Sequence, residues 1–380
     1  MPKKEEEMPE FMQTMEDMGG FSPIRGLPIN EAAVAQANDL LTNANRLPQH
    51  QWEYLLREAV TTTDFPYLFG QILDRSLLAR YQAIVPDWRS YTYVGYSRDF
   101  RQKELHKLQG LNDILDPVAQ KGEYLVKPTS DSHYHLKVAK YGNQFDISWE
   151  SLINDDLGAF SDVASRFADA ATYTEAYLAT QLFVAAAGPN PLLFGATISD
   201  VDGQAITNQG TLALDITNLG ITMGLMAAQT DVLGRPLGIR GVHLVVPPAL
   251  EITARGILTS ALQQQLASAV PIATANVVAQ MGIQLHVNPF VSMIDTSGNK
   301  NMTWYLFADT GSIKAMEFDY LRGHETPEIC MKNSDKVSPT GAPLGAFSGD
   351  FATDNIFYRV RIVCGGTQLD PRAAYAQVDS

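Results

Sequence analysis

The sequence predicts an α+β protein, and three features carry that expectation. A single long, alanine-rich helical pattern occupies residues 161–187. After Gly195, short apolar strands alternate with amphipathic helical segments. Between residues 88 and 147 lies a stretch of strand-forming residues with too few apolar ones for a core of its own. Such a stretch is either disordered or laid against another chain. The persistence of Tyr124, Val126, Tyr134 and Val138 through it favours the second.

Taken in order, residues 1–30 hold five methionines, several glutamates and then glycines and prolines, and read as an arm without a core. Residues 31–47 and 50–60 have helical patterns separated by Pro48. Thr61-Thr-Thr-Asp64 is a capping cluster for a segment running to Tyr81, with an apolar stripe at Leu68, Ile72, Leu73, Leu77 and Leu78. Glu123–Lys127 and Tyr134–Lys140 read as strands, and Val138–Ser148 as a polar extended arm.

The long helix follows. Val163, Phe167, Ala170, Thr174, Tyr177, Leu178 and Leu182 recur at spacings of three and four, which predicts one buried face. Ser161 or Asp156 caps its start, and residues 161–187 would span roughly 40 Å. Farther on, Thr211–Ala228 reads as helix and Arg235–Gly238 as a turn. Gly241–Pro247 reads as a buried strand entering a helix at Pro248–Leu258, where proline suits the first turn. Leu262–Val278 is loosely helical, and Gln284–Pro289, Thr303–Ala308, Ile313–Tyr320 and Ile356–Val363 are strands.

With 380 residues, 45% hydrophobic and 18% charged, the chain can build two or three units with substantial cores. No apolar run reaches the length of a membrane helix, and the N-terminus lacks the apolar region of a secretory signal. Two cysteines, Cys330 and Cys364, provide neither a disulfide framework nor a metal spacing and favour a reducing compartment. The net charge of −14 argues against gripping nucleic acid by affinity. An acidic wall would instead repel DNA and leave it free to slide, so proximity to DNA stays open.

The search for chemistry returns no catalytic, cofactor-binding or metal site. No P-loop, GxGxxG, HExxH, CxxC or GxSxG motif is present. His133 and His135 share one side of a strand, but with no third His or Cys nearby they read as loop histidines. Asp155, Asp156 and Asp162 could hold magnesium, yet capping of the helix explains them more cheaply. His324-Glu325 reads as a solvated turn rather than an acid–base pair, Asn301-Met-Thr303 as a chance sequon, and Met223 with Met226 as core filling.

Several segments are together distinctive: Lys140-Tyr-Gly142, Phe145-Asp-Ile-Ser148 and Leu152-Ile-Asn-Asp-Asp-Leu-Gly158. With them go Thr63-Asp-Phe-Pro-Tyr-Leu-Phe-Gly70, Gly122-Glu-Tyr124, Gly241–Pro248, Phe357–Arg361 and Asp370–Ala374. Over residues 60–375 the chain resembles the major capsid proteins of tailed phages, close to the Mu-like major head subunit group. The resemblance implies the Hong Kong 97-like capsid fold. Its parts would be an N-terminal arm with helices at 1–60, a helix and loop entry at 61–97 and an extended β loop at 98–147. The spine helix and peripheral domain would occupy 148–210, the axial domain 211–345 and the last peripheral strand 346–380.

It also implies a non-enzymatic shell subunit without cofactors, assembling as hexamers and pentamers into an icosahedral shell around double-stranded DNA. Obligate contacts of more than about 2,000 Å² are the expected scale. Scaffold, portal and decoration proteins would be partners, DNA a neighbour held without sequence specificity, and no membrane would be involved. The place would be the virion capsid, assembled in the host cytoplasm. The alternative is an encapsulin-like compartment shell enclosing a cargo enzyme. Lys103, Lys107, Lys121 and Lys127 lie in the loop, but no crosslink is expected of them.

Overall fold

The computed structural model describes residues 77–109, 117–118, 120–124, 130–148, 157–260, 262–267, 270–341, 344 and 348–379. All of them belong to one compact unit, Gly70–Ser380. The expected arm, the helices at 31–47 and 50–60, and the start of the segment ending at Tyr81 lie outside the described residues.

A helix at 77–83 is followed by β1 (Tyr93–Ser97), β2 (Lys103–Gln109), β3 (Ser130–Leu136) and β4 (Ala139–Ile147). Then come the long helix α1 (Leu157–Gln181) and the short strands β5 (Val184–Ala185), β6 (Gly188–Pro189), β7 (Ile198–Ser199), β8 (Ala205–Ile206) and β9 (Gln209–Gly210). Helix α2 (Ile216–Ala227), β10 (Gly241–Val246), α3 (Glu251–Thr259), β11 (Leu262–Ala267) and β12 (Val270–Ala275) follow. The chain continues through β13 (Gln284–Val287), α4 (Pro289–Ile294), β14 (Thr303–Ala308), β15 (Met316–Leu321) and β16 (Glu328–Met331). It closes with β17 (Ile356–Gln368) and β18 (Ala374–Val378).

Two five-stranded sheets dominate. One runs β13-β10-β14-β18-β9, with parallel pairs at both ends and antiparallel pairs between. Every residue of β14 is buried, as are all but one of β10, which is why both read as mostly apolar runs, interrupted by His243 and opened by Thr303, rather than as alternating patterns. The rings of Tyr91, Phe183, Phe194, Tyr305 and Phe307 pack as one aromatic cluster at this sheet, with centroids 5.0–6.3 Å apart.

The other sheet is organised by β17, which pairs with β4, β15 and β16, while β1 adds parallel to β15. Gly365 and Gly366 let other groups approach β17 closely. A Cβ on Gly365 would lie 2.5 Å from the Lys137 carbonyl oxygen, and one on Gly366 would lie 2.7 Å from Leu182 Cδ1.

Helix α1 departs from expectation in extent and orientation. It begins at Leu157, so Ser161 lies inside it and is not its cap, and Asp156 falls outside the described residues. It ends at Gln181, six residues early, although Ala185–Ala187 have high helix propensity. Asn190 explains the stop: its Nδ2 donates to the Gln181 carbonyl and its N–H to the Phe183 carbonyl, turning the chain into the β5–β6 hairpin. Gly188 takes the φ of 116° that the reversal needs, and Phe183 drops into the aromatic cluster.

The buried stripe of α1 is Ala168, Ala171, Thr172, Glu175, Ala179 and Thr180; of the predicted line Phe167, Ala170, Thr174, Tyr177 and Leu178 are half-buried, and Leu182, just past the helix, is buried. Small side chains lie inward because the helix packs against β17 and α4. The inward threonines are satisfied by donating to carbonyls one turn back, at 3.0 Å from Thr172 and 2.7 Å from Thr180. At about 1.5 Å per residue the 25-residue helix is roughly 37 Å long.

Three further expectations are corrected. Leu262–Val278 is chiefly the β11–β12 hairpin, because backbone pairing from Leu262↔Ala275 to Ala267↔Val270 outweighs the helix propensity of the glutamines. Helix α2 starts at Ile216, where the Asp215 carboxylate accepts from the Asn218 N–H, rather than at Thr211. Tyr134–Lys140 is broken at 137–138 between β3 and β4. The cysteines remain apart in chemistry: Cys330 is exposed, and burial pushes the Cys364 thiol up to about 12.

Asn288 joins the two halves of the architecture. Its Nδ2 donates to Thr180 Oγ1 of α1 (2.8 Å) and to Tyr91 Oη (3.2 Å). Its Oδ1 caps α4 through the Phe290 N–H, and its own N–H bonds the Val246 carbonyl at the end of β10.

Candidate functional site

Strands β2 and β3 form a hairpin in register from Lys103↔Leu136 to Gln109↔Ser130. Opposed residues share a face, so Lys103, Leu105, Lys107, Tyr134 and Leu136 point one way and Glu104, His106, His133 and His135 the other. The first face is clamped to the body at three points. Leu136 is buried with Val138, Leu321 and Val363, with Leu105 against them. Glu104, His106, His133 and His135 on the second face are all exposed. Among the described residues of the connection beyond, Tyr124 is 81% exposed.

The second clamp is an acidic nest. Lys107 Nζ reaches Asp200 and, at 2.7 Å, Asp370, while Tyr134 Oη donates to Asp200 at 2.7 Å. Arg372, only 2% exposed, completes the nest with bonds to Asp200 (2.8 Å), Asp202 (2.9 Å), Asp370 (3.1 Å) and Gln204 (2.6 Å). Two cations thus face three carboxylates drawn from the β7–β8 turn and the approach to β18. Burial alone would lower the Lys107 ammonium, but Asp370 and Asp200 more than reverse this and keep it protonated. Burial likewise works against the Asp202 carboxylate. The Gln204 N–H, Lys107 and Arg372 outweigh it and hold the group below the usual range.

The third clamp is Lys103, 3.0 Å from Glu317 and 2.8 Å from Asp319 on β15. Ser97 Oγ donates to Asp319 at 2.7 Å. Burial and then the neighbouring Asp319 raise the Glu317 carboxyl above its usual range against the pull of Lys103. Gly95, opposite Asp319, makes room for the pair, since a Cβ there would lie 2.4 Å from Asp319 Oδ1 and 2.8 Å from Glu317 Oε1. Gly95→Ala is therefore expected to destabilise the protein by about 1–3 kcal/mol, read from urea unfolding midpoints.

Two other buried polar groupings are structural. Glu175 of α1 accepts from Tyr81 Oη and lies 3.4 Å from Arg89, which also donates to Tyr320 Oη at 2.9 Å. Burial raises the Glu175 carboxyl above its usual range despite these donors. His243 of β10 and His286 of β13 meet Nδ1 to Nε2 at 3.0 Å. Burial, then His286, lowers the His243 imidazole below its usual 6.5. A depressed imidazole makes the unfolded chain the better proton binder, so stability falls as pH drops through 6.5 and levels off below the folded value. His243→Gln is expected to flatten that part of the stability–pH curve, measured by chemical unfolding from pH 7.5 to 5.

The residues singled out in the sequence do not converge. Asp155 and Asp156 lie outside the described residues, and Asp162 lies within α1. His324 pairs with Glu328 at 2.5 Å, while Glu325 accepts from the Gly323 N–H. Thr303 is buried at the start of β14, Met226 is buried and Met223 is half-buried. Lys103 and Lys107 are clamps, and Lys127 is outside the described residues. His133 and His135 gain a neighbour that strand periodicity alone hid, Glu104 of β2. The nest leaves almost no sign in the sequence. Its only trace there is the recurrence of Asp beside apolar residues in Asp200-Val-Asp202 and Asp370-Pro-Arg372.

No acid–base pair, nucleophile or enclosed substrate cavity emerges among the described residues. What the described residues build instead is a two-sheet body with a clamped hairpin. The sequence profile of a family described as phage capsid protein matches residues 135–377, more than half of the chain. The chain belongs to the phage capsid protein family. The capsid protein accordingly has the Hong Kong 97-like fold and a structural, shell-forming role rather than an enzymatic one.

No curated protein matches it. Among solved structures, a chain from Gordonia phage Cozz is 11% identical with a TM-score of 0.47, covering 76% of this chain and 85% of that one. One from Microbacterium phage Oxtober96 is 10% identical with a TM-score of 0.47, covering 78% and 91%. The SrpI encapsulin of Synechococcus elongatus is 10% identical with a TM-score of 0.43, covering 79% and 94%. These are likenesses of shape and say nothing of cargo. Among the described residues, no helix is long and apolar enough to cross a membrane.

Proposed function

We propose that this capsid protein is the major head subunit of a tailed phage of the Mu-like group. It assembles as hexamers and pentamers into an icosahedral shell around double-stranded DNA. The observation that carries this reading is the β2–β3 hairpin: three clamps hold one face, while the other face stays exposed. Such an element is costly for a monomer and useful where subunits overlap in closed heterologous contacts. The division proposed from the sequence follows: arm and helices at 1–60, loop entry at 61–97, extended loop at 98–147, spine and peripheral domain at 148–210, axial domain at 211–345, and last peripheral strand at 346–380.

Partners in this reading are other copies of the chain, together with scaffold, portal and decoration proteins. DNA is enclosed without being gripped, as the net charge of −14 favours. The protein is assembled in the host cytoplasm and resides in the virion. The test is the content of particles purified from producing cells. Nuclease-protected double-stranded DNA supports the head-subunit reading. A stoichiometric protein cargo without DNA would replace it with an encapsulin-like compartment.

A further inference from the structure

The exposed face of the β2–β3 hairpin sets Glu104 opposite His135 and His106 opposite His133. Ligand atoms of Glu104, His133 and His135 all lie within 4.8 Å of one another. The rings of His133 and His135 meet edge to face with centroids 4.9 Å apart. His106 lies next along, 6.2 Å from His133 between centroids, with Nδ1 2.9 Å from Asp131 Oδ2. The opposite face carries clamps into the body, and none of these residues takes part in them.

We propose that this face binds a divalent transition-metal ion of the zinc class, with Glu104, His133 and His135 as its ligands. Two imidazoles and one carboxylate form a donor set suited to a borderline-soft ion. Calcium and magnesium, which prefer oxygen throughout, are disfavoured by the same set.

Bonds of about 2.0–2.1 Å in tetrahedral geometry need ligand atoms roughly 3.3 Å apart. The three groups must therefore draw inward by an ångström or so. Being exposed, they can do this by side-chain rotation while the clamped strands stay in place. A fourth position remains for water or for His106, whose ring is held by Asp131 in the way carboxylates orient metal-binding histidines. The bound ion ties β2 to β3 on the face that the body does not hold, and so stiffens the arm. This site does not depend on the shell reading.

The test is calorimetric titration of chelator-treated, full-length protein with zinc chloride and, separately, calcium chloride. About one zinc ion per chain with a Kd in roughly the micromolar range is expected, without calcium binding. The double variant H133A/H135A and the single variant Glu104→Gln should each weaken zinc binding at least about tenfold. Glu104→Gln keeps the measurement decisive if the double variant fails to fold. His324→Ala removes a histidine outside the hairpin and should leave the titration unchanged. No zinc binding by the parent protein, undiminished binding in the hairpin variants, or an equal loss in His324→Ala would overturn the proposal.

Discussion

Replacing Arg372 by methionine is expected to destabilise the capsid protein by about 3–5 kcal/mol, the usual penalty for stranding buried charge. The side chain is 2% exposed and answers Asp200, Asp202 and Asp370 at once. Methionine fills much of the volume but supplies no donor, leaving Lys107 alone against three carboxylates. Two of these, Asp200 and Asp202, have side chains only 1% exposed.

The sign of the pH dependence follows from Asp202, whose folded value lies below its usual 3.8. A depressed carboxylate contributes stability that is present above the usual value and is lost as pH falls through the folded one. The gap between parent and variant should thus be full at pH 7 and narrow below about pH 4. Neutralising two carboxylates with D200N/D202N in the same chain should recover part of the loss. Urea unfolding measures all three proteins, and a loss under about 1 kcal/mol for Arg372→Met would show that the nest does not hold the fold.

Removing the end of the hairpin is expected to abolish assembly while sparing the subunit. From the sequence, Pro117–Ser132 is the natural excision, but Ser130–Ser132 pair with Lys107, Leu108 and Gln109. Replacing residues 110–129 by Asn-Gly keeps every pair from Lys103↔Leu136 to Gln109↔Ser130 and closes them with a turn whose twist suits a two-residue hairpin. All three clamps survive this change. The unfolding midpoint should therefore match the parent within about 0.5 kcal/mol, as for a surface change. Sedimentation should find only small species where the parent forms large ones. Parent-like shells from this variant would remove the hairpin from the assembly mechanism.

How legible these features are in the sequence depends on whether a residue's fate is decided locally. Strand β14 is readable to the residue, because Thr303 leads into the apolar run Trp304–Ala308 and the whole strand is buried on both sides. The existence of α1 is equally plain, but its end is set by Asn190 and by the pull of Phe183 into a distant aromatic cluster. Its buried stripe does not follow the apolar periodicity, because small residues and not large apolar ones face inward. The sheet demands small residues there, and Glu175 is tolerated only because Tyr81 and Arg89 arrive from elsewhere. The clamps were invisible for the same reason: Lys107 meets Asp370 across 263 positions of sequence. Glu104 joins His133 and His135 only once the register of β2 on β3 is known.

Negative-stain electron microscopy of the purified full-length protein, alone and with any co-expressed scaffold protein, tests shell formation most directly. Closed polyhedral shells, or discrete hexamers and pentamers, are the expected result. Monodisperse monomers across the full range of salt and scaffold conditions would contradict it.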